Sequence, residues 1–455
     1  MTDYKELANL LFPNIDKTPD YYEELYPLRK LKEGARVTRF APSPTGYLHF
    51  GNLYTCMAAY VTAKATDGVF YVRVEDTDQK RKVDGAVSAM LKGLSVYGIV
   101  ADEGVIGENE EKGDYAPYYQ SARKDIYQAY AKSLVMQGLA YPCFCSAEEL
   151  DEIRAQQENE DTKGYYGKYA KCRNLSLDEI KKKIESGAEW TLRLKSPGDA
   201  EKKCYFDDMI KGKIEMPENI QDIVLLKSDG IPTYHFAHAI DDHLMRTTHV
   251  VRGDEWIASV PVHLQLFKVL GFKPPKFAHV APIMKEENGG KRRLSKRKDP
   301  EAAVSYYAEA GYPAESVNEY LMTILNSNFE DWRRANKDAD ILSFPFNFKK
   351  MSASGALFDY AKLTDVSKNV ISKMSADKVF DLTYKWAEEY QPQLYELFSK
   401  DKEKATAILN IDRENKKPRK DIAKWSEVLD YIGYMYDETF TPCYELNGNA
   451  TPELA

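Results

Sequence analysis

The sequence predicts an α/β protein with a doubly wound parallel sheet, followed by a helical C-terminal region. From residue 36 onward, short apolar segments alternate with segments of helical periodicity, and strands that alternate with helices form parallel sheets. Residues 131–220 interrupt this alternation with cysteines, a charged helix and short strands, which indicates a domain inserted between two halves of the sheet. From about residue 300 onward, helical patterns with charged faces replace the strand patterns.

Composition indicates a cytoplasmic protein with no membrane partner. Charged residues make up 29% of the chain and the mean hydropathy is −0.54, and no apolar run approaches the roughly 18 residues that span a bilayer. The first residues lack the pattern of a secretory signal, and six scattered cysteines do not suggest a disulfide framework. The net charge of −8 argues against a polybasic nucleic-acid binder. It leaves an RNA partner open, because phosphate contacts need only a local basic face.

The first half of the sheet is predicted element by element. Residues 1–35 indicate a helical extension. Val37–Phe40 predicts a short buried strand, and Asn52–Thr66 predicts a helix because its apolar residues recur on one face and a glycine follows its end. A strand over Val69–Glu75 and a helix over Asp84–Tyr97 come next. Ligands of such sheets bind beyond the carboxyl ends of the strands.

The inserted region and the second half follow in the same way. A charged helix is predicted over Ala147–Asn159 and a short strand over Trp190–Lys195. The sheet then resumes with strands at Ile223–Lys227 and His249–Gly253 and a helix at Val260–Leu270.

The segment Phe40–Asn52, FAPSPTGYLHFGN, joins the first strand to the first helix of the sheet. Its prolines fix the backbone, and Gly46 and Gly51 permit close approach of a ligand to it. A strand–turn–helix junction presents backbone N–H groups and a positive helix terminus, which suits a nucleotide triphosphate. We expect His49 to lie near the first helical turn, within reach of phosphate oxygens. The sequence contains neither a P-loop nor a dinucleotide-binding motif.

A second unusual segment is the basic run Lys291–Lys298, KRRLSKRK, which follows two glycines and predicts a loop. Such runs are usually solvated faces. Alternatively, Lys296 neutralises the charge that develops on a pentavalent phosphorus and on its pyrophosphate leaving group.

Together these segments resemble a known family. FAPSPTGYLHFG is similar to the "HIGH" signature of class I aminoacyl-tRNA synthetases in its glutamyl form, and RLSKR is similar to the "KMSKS" loop. Four further strings, RVEDTD, LLKSDGIPTYHFA, DDHLM and VVRGDEW, resemble glutamyl-tRNA synthetases in the same order along residues 36–300. The chain is identified as a member of the bacterial-type glutamyl-tRNA synthetases.

The resemblance implies a glutamate-binding site. Arg39 and Arg252 match carboxylate-binding arginines, and Glu75 matches the residue that faces the α-amino group; a guanidinium binds a carboxylate through two hydrogen bonds. The full implied set is Arg39, Ala41, Ser43, Glu75, Tyr234, His238 and Arg252. The alternatives are ordinary ion pairs for the charged members and a core aromatic residue for Tyr234.

It also implies an ATP site and a two-step reaction. His49 and Lys296 are the implied catalytic residues, and the implied ATP-binding set is Gly46, His49, Gly51, Glu255, Arg293, Ser295 and Lys296. Glutamate would attack the ATP α-phosphate, with Mg²⁺ on the phosphates and no protein nucleophile. The acyl group would then pass to the terminal adenosine of tRNA(Glu). The implied partners are tRNA(Glu) and L-glutamate, and the implied oligomeric state is a monomer.

The implied fold is a class I synthetase Rossmann-like parallel sheet with an inserted acceptor-binding domain, followed by helical C-terminal domains. The expected divisions are an N-terminal helical extension (1–35), the first half of the catalytic domain (36–130), the insertion (131–220), the second half (221–290), the signature loop and stem-contact domain (291–375) and a partial helical anticodon-binding region (376–455). Asn52 replaces the second histidine of the signature.

Three cysteines in the insertion resemble a zinc knuckle that some relatives carry there. These are Cys143, Cys145 and Cys172, and Tyr169 is the nearest candidate for the fourth ligand that tetrahedral zinc needs. Three reduced, buried thiols are the alternative, and both interpretations remain open.

Two other functions are considered. A glutamyl-queuosine tRNA(Asp) synthetase resembles only the catalytic part and ends soon after the signature loop, whereas helical residues continue here to the end of the chain. A non-catalytic, synthetase-derived RNA-binding protein would carry damage at Arg39, His49, Glu75 or Lys296, and all four are intact.

Overall fold

The computed structural model describes residues 3–44, 46, 48–78, 81, 83–159 and 163–440. Its strands are β1 (Val37–Phe40), β2 (Val69–Val72), β3 (Glu103–Gly107), β4 (Glu110–Lys112), β5 (Ala140–Cys143), β6 (Thr191–Leu194), β7 (Lys203–Asp208), β8 (Gly212–Pro217), β9 (Val224–Leu226), β10 (His249–Gly253), β11 (Lys276–Val280), β12 (Ile283–Glu287), β13 (Gly290–Arg293) and β14 (Ala356–Leu357).

Helices account for most of the remaining ordered elements. They are α1 (Tyr4–Leu11), α2 (Pro19–Leu25), α3 (Phe50–Lys64), α4 (Ala86–Val96), α5 (Lys124–Met136), α6 (Ala147–Gln156), α7 (Leu177–Glu185), α8 (Tyr234–Leu244), α9 (Val260–Val269), α10 (Ser305–Ala310), α11 (Ala314–Leu325), α12 (Phe329–Ala335), α13 (Tyr360–Ile371), α14 (Ala376–Tyr390), α15 (Pro392–Lys400), α16 (Lys402–Asn410) and α17 (Val428–Ile432). Within the described ranges, no helix combines the length and apolarity needed to cross a membrane.

The chain divides into two compact units. The first consists of Met1–Pro282 and Leu325–Ala356, and the second of Ile283–Ile324 and Leu357–Ala455. Each unit is described separately below.

The first unit is built on two sheets with parallel strands. In one sheet the strand order is β1-β2-β3-β4, with β1, β2 and β3 parallel; in the other it is β10-β11-β7-β8, with β10, β11 and β7 parallel. The N–H of Thr248, just before β10, donates to the carbonyl of Val37 in β1 at 3.0 Å. This bond places the start of β10 beside β1, so the two sheets lie next to each other. The predicted α/β fold with a parallel sheet is confirmed.

Helix α3 packs on β1, β2 and β10, and most of its side chains are buried. It begins at Phe50, two residues before the predicted start, because His49 acts as its N-cap. Strand β2 ends at Val72 rather than at Glu75, because the chain then changes partner and Val74 forms a bridge with Tyr119. This early end leaves Glu75 in the loop beyond the strand.

The N-terminal segment packs along the first unit. Helix α1 contacts α5 and buries Leu7 and Leu11. Farther along, Arg29 donates to both carboxylate oxygens of Glu103, at 2.7 and 2.9 Å, and its Nε donates to the carbonyl of Met245 at 3.1 Å. Glu23 accepts from Arg246 at 2.9 Å. The segment therefore holds together parts of the chain that are far apart in sequence.

The segment between α5 and α8, which contains most of the predicted insertion (131–220), contributes strands to two sheets, because β7 and β8 belong to the sheet of β10 and β11. Strands β5, β6 and β9 form an antiparallel sheet in that order. Helix α6 starts with a capping box, in which Ser146 and Glu149 each accept from the other's backbone N–H.

The second unit begins with the hairpin of β12 and β13 and is otherwise mostly helical. Asn288 and Gly289 form its turn with φ of 51° and 76°, the positive values that a two-residue hairpin turn requires. The core of its helices is aromatic and aliphatic and includes Phe380, Phe398 and Trp425. The helical pattern predicted beyond residue 300 is present in the described residues.

Candidate active site

Charged side chains meet where the parallel strands of the first unit end. Arg39 lies near the end of β1, Glu75 follows β2, and Arg252 lies near the end of β10. Helix α8, which precedes β10, supplies Tyr234 at its start and Asp242 near its end. The N–H of Glu75 donates to the carbonyl of Pro42 at 2.9 Å, which fixes the loop after β2 against the loop after β1.

The buried carboxylate of Asp242 connects Arg39 to a further arginine, Arg73. Asp242 Oδ1 lies 3.3 Å from Arg39 Nε and 2.6 Å from Arg73 Nη1. Arg73 also donates from Nη2 to Glu75 at 2.9 Å. Burial alone would raise the pKa of Asp242, but the two guanidinium groups hold it well below its ordinary value. Asp242 is therefore ionised and orients both arginines.

Glu75 behaves differently from Asp242. Burial raises the pKa of Glu75 above its ordinary value, although Arg73 and Arg39 oppose the shift. A nearby cation would favour its ionised form. Glu75 is thus a buried carboxylate whose protonation state depends on the charge of whatever binds beside it.

Arg252 is buried among neutral groups. Its Nε donates to His279 Nε2 at 3.1 Å, its Nη1 donates to the Tyr234 hydroxyl at 3.4 Å, and its Nη2 lies 3.2 Å from His263 Nδ1. In the described part of the chain, no carboxylate forms an ion pair with it. Burial accordingly lowers the pKa of Arg252, though a guanidinium stays charged at neutral pH. Its positive charge has no direct counter-ion.

Two aromatic rings on α8 lie beside this guanidinium. The rings of Tyr234 and His238 are nearly parallel, with centroids 5.6 Å apart, and Trp256 packs on Tyr234 at 4.3 Å. His238 Nδ1 is 2.8 Å from Asp242 Oδ2, yet burial lowers the pKa of His238 to about 4. His238 is therefore neutral at physiological pH.

The loop between β1 and α3, together with the first turn of α3, contains most of the residues predicted to bind ATP in this unit. His49 Nδ1 accepts from the N–H of Gly51 at 2.9 Å, which fixes the ring proton of the neutral side chain on Nε2. Gly46 has φ of 148°, a conformation that side chains disfavour. Ala41 and Ser43 lie in the same loop, and Ser43 is exposed. Thr45 and Tyr47 lie outside the described residues.

Glu255, also predicted to bind ATP, follows β10 and is exposed. A Cβ at Gly253 would lie 2.3 Å from its carboxylate oxygens. A side chain at position 253 would therefore displace Glu255.

Arg293, Ser295 and Lys296 belong to the second unit. The basic segment is less loop-like than predicted, because β13 extends to Arg293. Beyond it, the N–H of Ser295 donates to Asp299 at 2.8 Å, and Leu294 is buried. Hydrogen bonds from Arg292 hold the pKa of Asp299 below its ordinary value. Lys296 itself is exposed on this anchored turn.

The three cysteines of the insertion come together. The sulfur atoms of Cys143, Cys145 and Cys172 all lie within 4.8 Å of one another. The hydroxyl that contacts them is that of Tyr165, which lies 3.3 Å from Cys145 Sγ and accepts from the N–H of Cys172 at 2.9 Å. Tyr169 is the residue that the sequence predicts as the fourth ligand. Tyr169 contacts Tyr166 and Lys168 through its ring.

Several residues at the site were not singled out from the sequence. Arg73 and Asp242 lie inside the strings RVEDTD and DDHLM, where a charged residue next to a buried strand or on an apolar helix face is a usable signal. His263 and His279 carry no such signal, because their positions near Arg252 depend on the packing of α9 and β11.

A parallel α/β sheet with an insertion, a histidine-capped helix after β1 and a basic turn on a second unit are the architecture of a class I aminoacyl-tRNA synthetase. Residues 36–365 match the family "tRNA synthetases class I (E and Q), catalytic domain". The glutamate–tRNA ligase of Clostridium perfringens (strain 13 / Type A) is 55% identical over 438 residues, which cover 96% of this chain and 80% of that protein. That of Acetivibrio thermocellus is 52% identical over 456 residues, 100% of this chain and 83% of the relative.

A solved structure agrees with these sequence matches. The crystal structure of a glutamate tRNA ligase from Elizabethkingia meningosepticum, in complex with its amino acid, superposes with a TM-score of 0.73 at 30% identity and covers 88% of this chain and 80% of that one. The chain therefore belongs to the glutamyl-tRNA synthetase family, as its motifs predict.

Proposed function

We propose that the protein is a glutamate–tRNA ligase, which activates L-glutamate with ATP and transfers it to the 3′ terminal adenosine of tRNA(Glu). The observation that carries the assignment is the state of Arg252: a buried guanidinium with three neutral partners and no ion-paired carboxylate among the described residues. A buried charge without a counter-ion is unfavourable, so such a site favours an anionic ligand. The proposal implies tRNA(Glu) and L-glutamate as partners, a monomer, and the cytoplasm as the place of action.

The neighbouring groups fit the rest of a glutamate molecule. We assign the side-chain carboxylate of glutamate to Arg252, with Arg39 as the second cation, because a planar guanidinium binds a carboxylate through two hydrogen bonds. Glu75 would pair with the α-ammonium, which would shift this carboxyl to its ionised form. Ala41, Ser43, Tyr234 and His238 complete the proposed glutamate-binding set. Glutamine would leave Arg252 without a counter-ion and would bind less well.

In the first step, an oxygen of the α-carboxylate of glutamate attacks the α-phosphorus of ATP. The bond from this phosphorus to the bridging oxygen breaks, and pyrophosphate leaves with the electron pair. We assign the donor at His49 Nε2 and the backbone near Gly46 and Gly51 to the phosphates, with Glu255 near the adenosine. Lys296, with Arg293 and Ser295, would neutralise the pyrophosphate. Mg²⁺ bound with ATP would supply further positive charge.

In the second step, the 2′-hydroxyl of the terminal adenosine attacks the acyl carbon of glutamyl-adenylate, and AMP leaves. The two steps need no covalent enzyme intermediate, so catalysis rests on positioning and charge stabilisation.

The decisive experiment compares glutamate with glutamine in an aminoacylation assay with tRNA(Glu), using the wild type and Arg252→Gln. We expect charging with glutamate, and a rise in the KM for glutamate of at least about 30-fold in the variant, the effect of losing a charged hydrogen-bonding partner. Arg193→Gln is the matched control, since Arg193 is also buried but lies in the β5-β6-β9 sheet. Absence of glutamate charging by the wild type would refute the proposal.

We also propose that Cys143, Cys145 and Cys172 hold a structural zinc ion. Their sulfur atoms already lie within the distance range of a shared ion, and Tyr165 offers a fourth oxygen ligand beside Cys145. The shared hydrogen bonds lower the pKa of Cys143 and raise that of Cys145, and a bound cation would favour the thiolate form that binds metal. When bound, zinc would cross-link Cys143 and Cys145 to Cys172, and so join the two ends of the segment between them.

A further inference from the structure

A chain of hydrogen bonds leads away from Arg252 to a buried carboxylate that the proposed mechanism does not use. Asp208, at the end of β7, is buried, and its carboxylate oxygens accept three backbone hydrogen bonds. Its Oδ1 accepts from the N–H groups of Ile210 and Lys211, at 3.0 and 2.9 Å. Its Oδ2 accepts from the N–H of His279 at 3.0 Å and lies 2.7 Å from His279 Nδ1.

These contacts fix the proton of His279. Burial alone would raise the pKa of Asp208, but bonds from His279 and two backbone N–H groups hold it below its ordinary value. Because the carboxylate is ionised, His279 Nδ1 must be the donor. The other ring nitrogen, Nε2, then presents its lone pair to Arg252 Nε at 3.1 Å. The order of donors and acceptors is therefore determined along the whole chain.

His263 is fixed in a similar way from the other side. A guanidinium can only donate, so His263 Nδ1 accepts from Arg252 Nη2 at 3.2 Å. The ring proton of His263 is then on Nε2, which lies 3.0 Å from His235 Nδ1. Both histidines are thus neutral acceptors toward the same arginine.

From this geometry we infer that His279, held by Asp208, and His263 are positioning residues that orient Arg252 without cancelling its charge, and so set the preference for an acidic amino acid. The inference rests on the proposed function. Arg73 provides the contrast, because its guanidinium lies 2.6 Å from the ionised carboxylate of Asp242, which neutralises its charge. A carboxylate in the place of His279 would neutralise the charge of Arg252 in the same way, whereas a neutral imidazole nitrogen orients the guanidinium and leaves its charge in place.

The test measures the KM and kcat for glutamate in tRNA-dependent pyrophosphate exchange, together with the KM for ATP. His279→Phe removes the acceptor, and we expect the KM for glutamate to rise about 10-fold or more, the effect of one lost hydrogen bond to a charged group. The kcat and the KM for ATP should change much less. His279→Gln keeps an acceptor oxygen and should restore a large part of the affinity.

Asp208→Asn tests the proton assignment with little change of shape. An amide can donate to His279 Nδ1 and so move the ring proton to Nε2, where it would face the Arg252 donor. We expect a higher KM for glutamate in this variant as well, and it carries the test if His279→Phe fails to fold. His249→Gln is the matched control: His249 is buried in the same strand as Arg252 but at its opposite end, and its KM should be unchanged.

The outcomes separate the two proposals. A wild-type protein that does not activate glutamate at all would refute the proposed function. An active wild type whose KM for glutamate stays the same in Asp208→Asn and in a folded His279 variant would overturn this inference alone. Equal losses in kcat and in the KM values of both substrates would also overturn it, because they indicate a general structural effect.

Discussion

Arg73 Nη1 lies 2.6 Å from Asp242 Oδ1, and both side chains are completely shielded from solvent. The same carboxylate oxygen also serves Arg39, which lies on β1, while Asp242 itself belongs to α8. One buried carboxylate thus connects two strands of the sheet to the helix that carries Tyr234. The arrangement orients Arg39 before any substrate binds, which is the preorganisation that a specific binding site requires.

The first prediction concerns this ion pair. Arg73→Met removes one partner, leaves Asp242 with the guanidinium of Arg39 and removes the hydrogen bond to Glu75, so we expect the free energy of unfolding to fall by about 3–5 kcal/mol. Urea unfolding followed by fluorescence measures it. Lys32→Ala is the control, because the ion pair of Lys32 with Asp67 is exposed and contributes little. Equal stabilities of the two variants would contradict the prediction.

The second prediction concerns pH. Burial lowers the pKa of His249 to about 4 from an ordinary value of 6.5. Between these values the unfolded chain binds a proton that the folded chain does not, so stability falls as the pH is lowered from 6.5 toward 4. This single histidine contributes at most about 1.4 kcal/mol per pH unit. Unfolding free energies of His249→Gln, measured over this range, should therefore decline less steeply than those of the wild type, and parallel curves would refute the assignment.

The third prediction concerns the basic turn of the second unit. Lys296→Ala should lower glutamate-dependent pyrophosphate exchange by at least about 100-fold, the effect of removing one group that stabilises transition-state charge. Lys298→Ala, in the same turn, is the matched control and should retain most of the activity. Exchange that is unchanged in the Lys296 variant would remove this residue from the proposed catalytic set.

The fourth prediction concerns metal content. We expect about one zinc ion per chain in protein purified without chelators, since structural sites bind zinc tightly. Mass spectrometry of the metal should show its loss in Cys172→Ser and its retention in Cys204→Ser, because Cys204 lies outside the thiol cluster. Protein that is free of zinc, yet has the same stability as the wild type, would favour three reduced thiols instead.

Much of the fold follows from local patterns in the sequence. Strands β1 and β10 begin and end where predicted, because each contains residues that favour strands and is closed by a proline nearby (Pro42) or by a glycine (Gly253). Helix α3 starts two residues early because histidine is an unusual N-cap, and its ring nitrogen replaces the side-chain oxygen that sequence rules look for. The end of β2 could not be predicted, since it depends on the approach of Tyr119 from a distant segment.

Only some residues of the candidate site can likewise be predicted from the sequence. Arg39, Glu75 and Arg252 can be found from motifs, because Glu75 and Arg252 lie inside short strings that the family shares and Arg39 directly precedes one. The partners that define the charge states of these three residues cannot be found from motifs. Asp208 and His279 are 71 residues apart in sequence, and only the parallel pairing of β7 with β11 brings them together. The same limit applies to Tyr165, whose hydroxyl comes within 3.3 Å of Cys145 Sγ through the fold of its loop.

The attachment of the N-terminal segment has a consequence for the order of synthesis on the ribosome. Arg29 bonds to Met245, a separation of 216 residues, and Glu23 and Tyr26 bond to Arg246, 223 and 220 residues later. During translation this segment leaves the ribosome long before those partners exist. These three hydrogen-bonded contacts therefore form only after the end of α8 has emerged, and the attachment of the segment is completed late although the segment is made early.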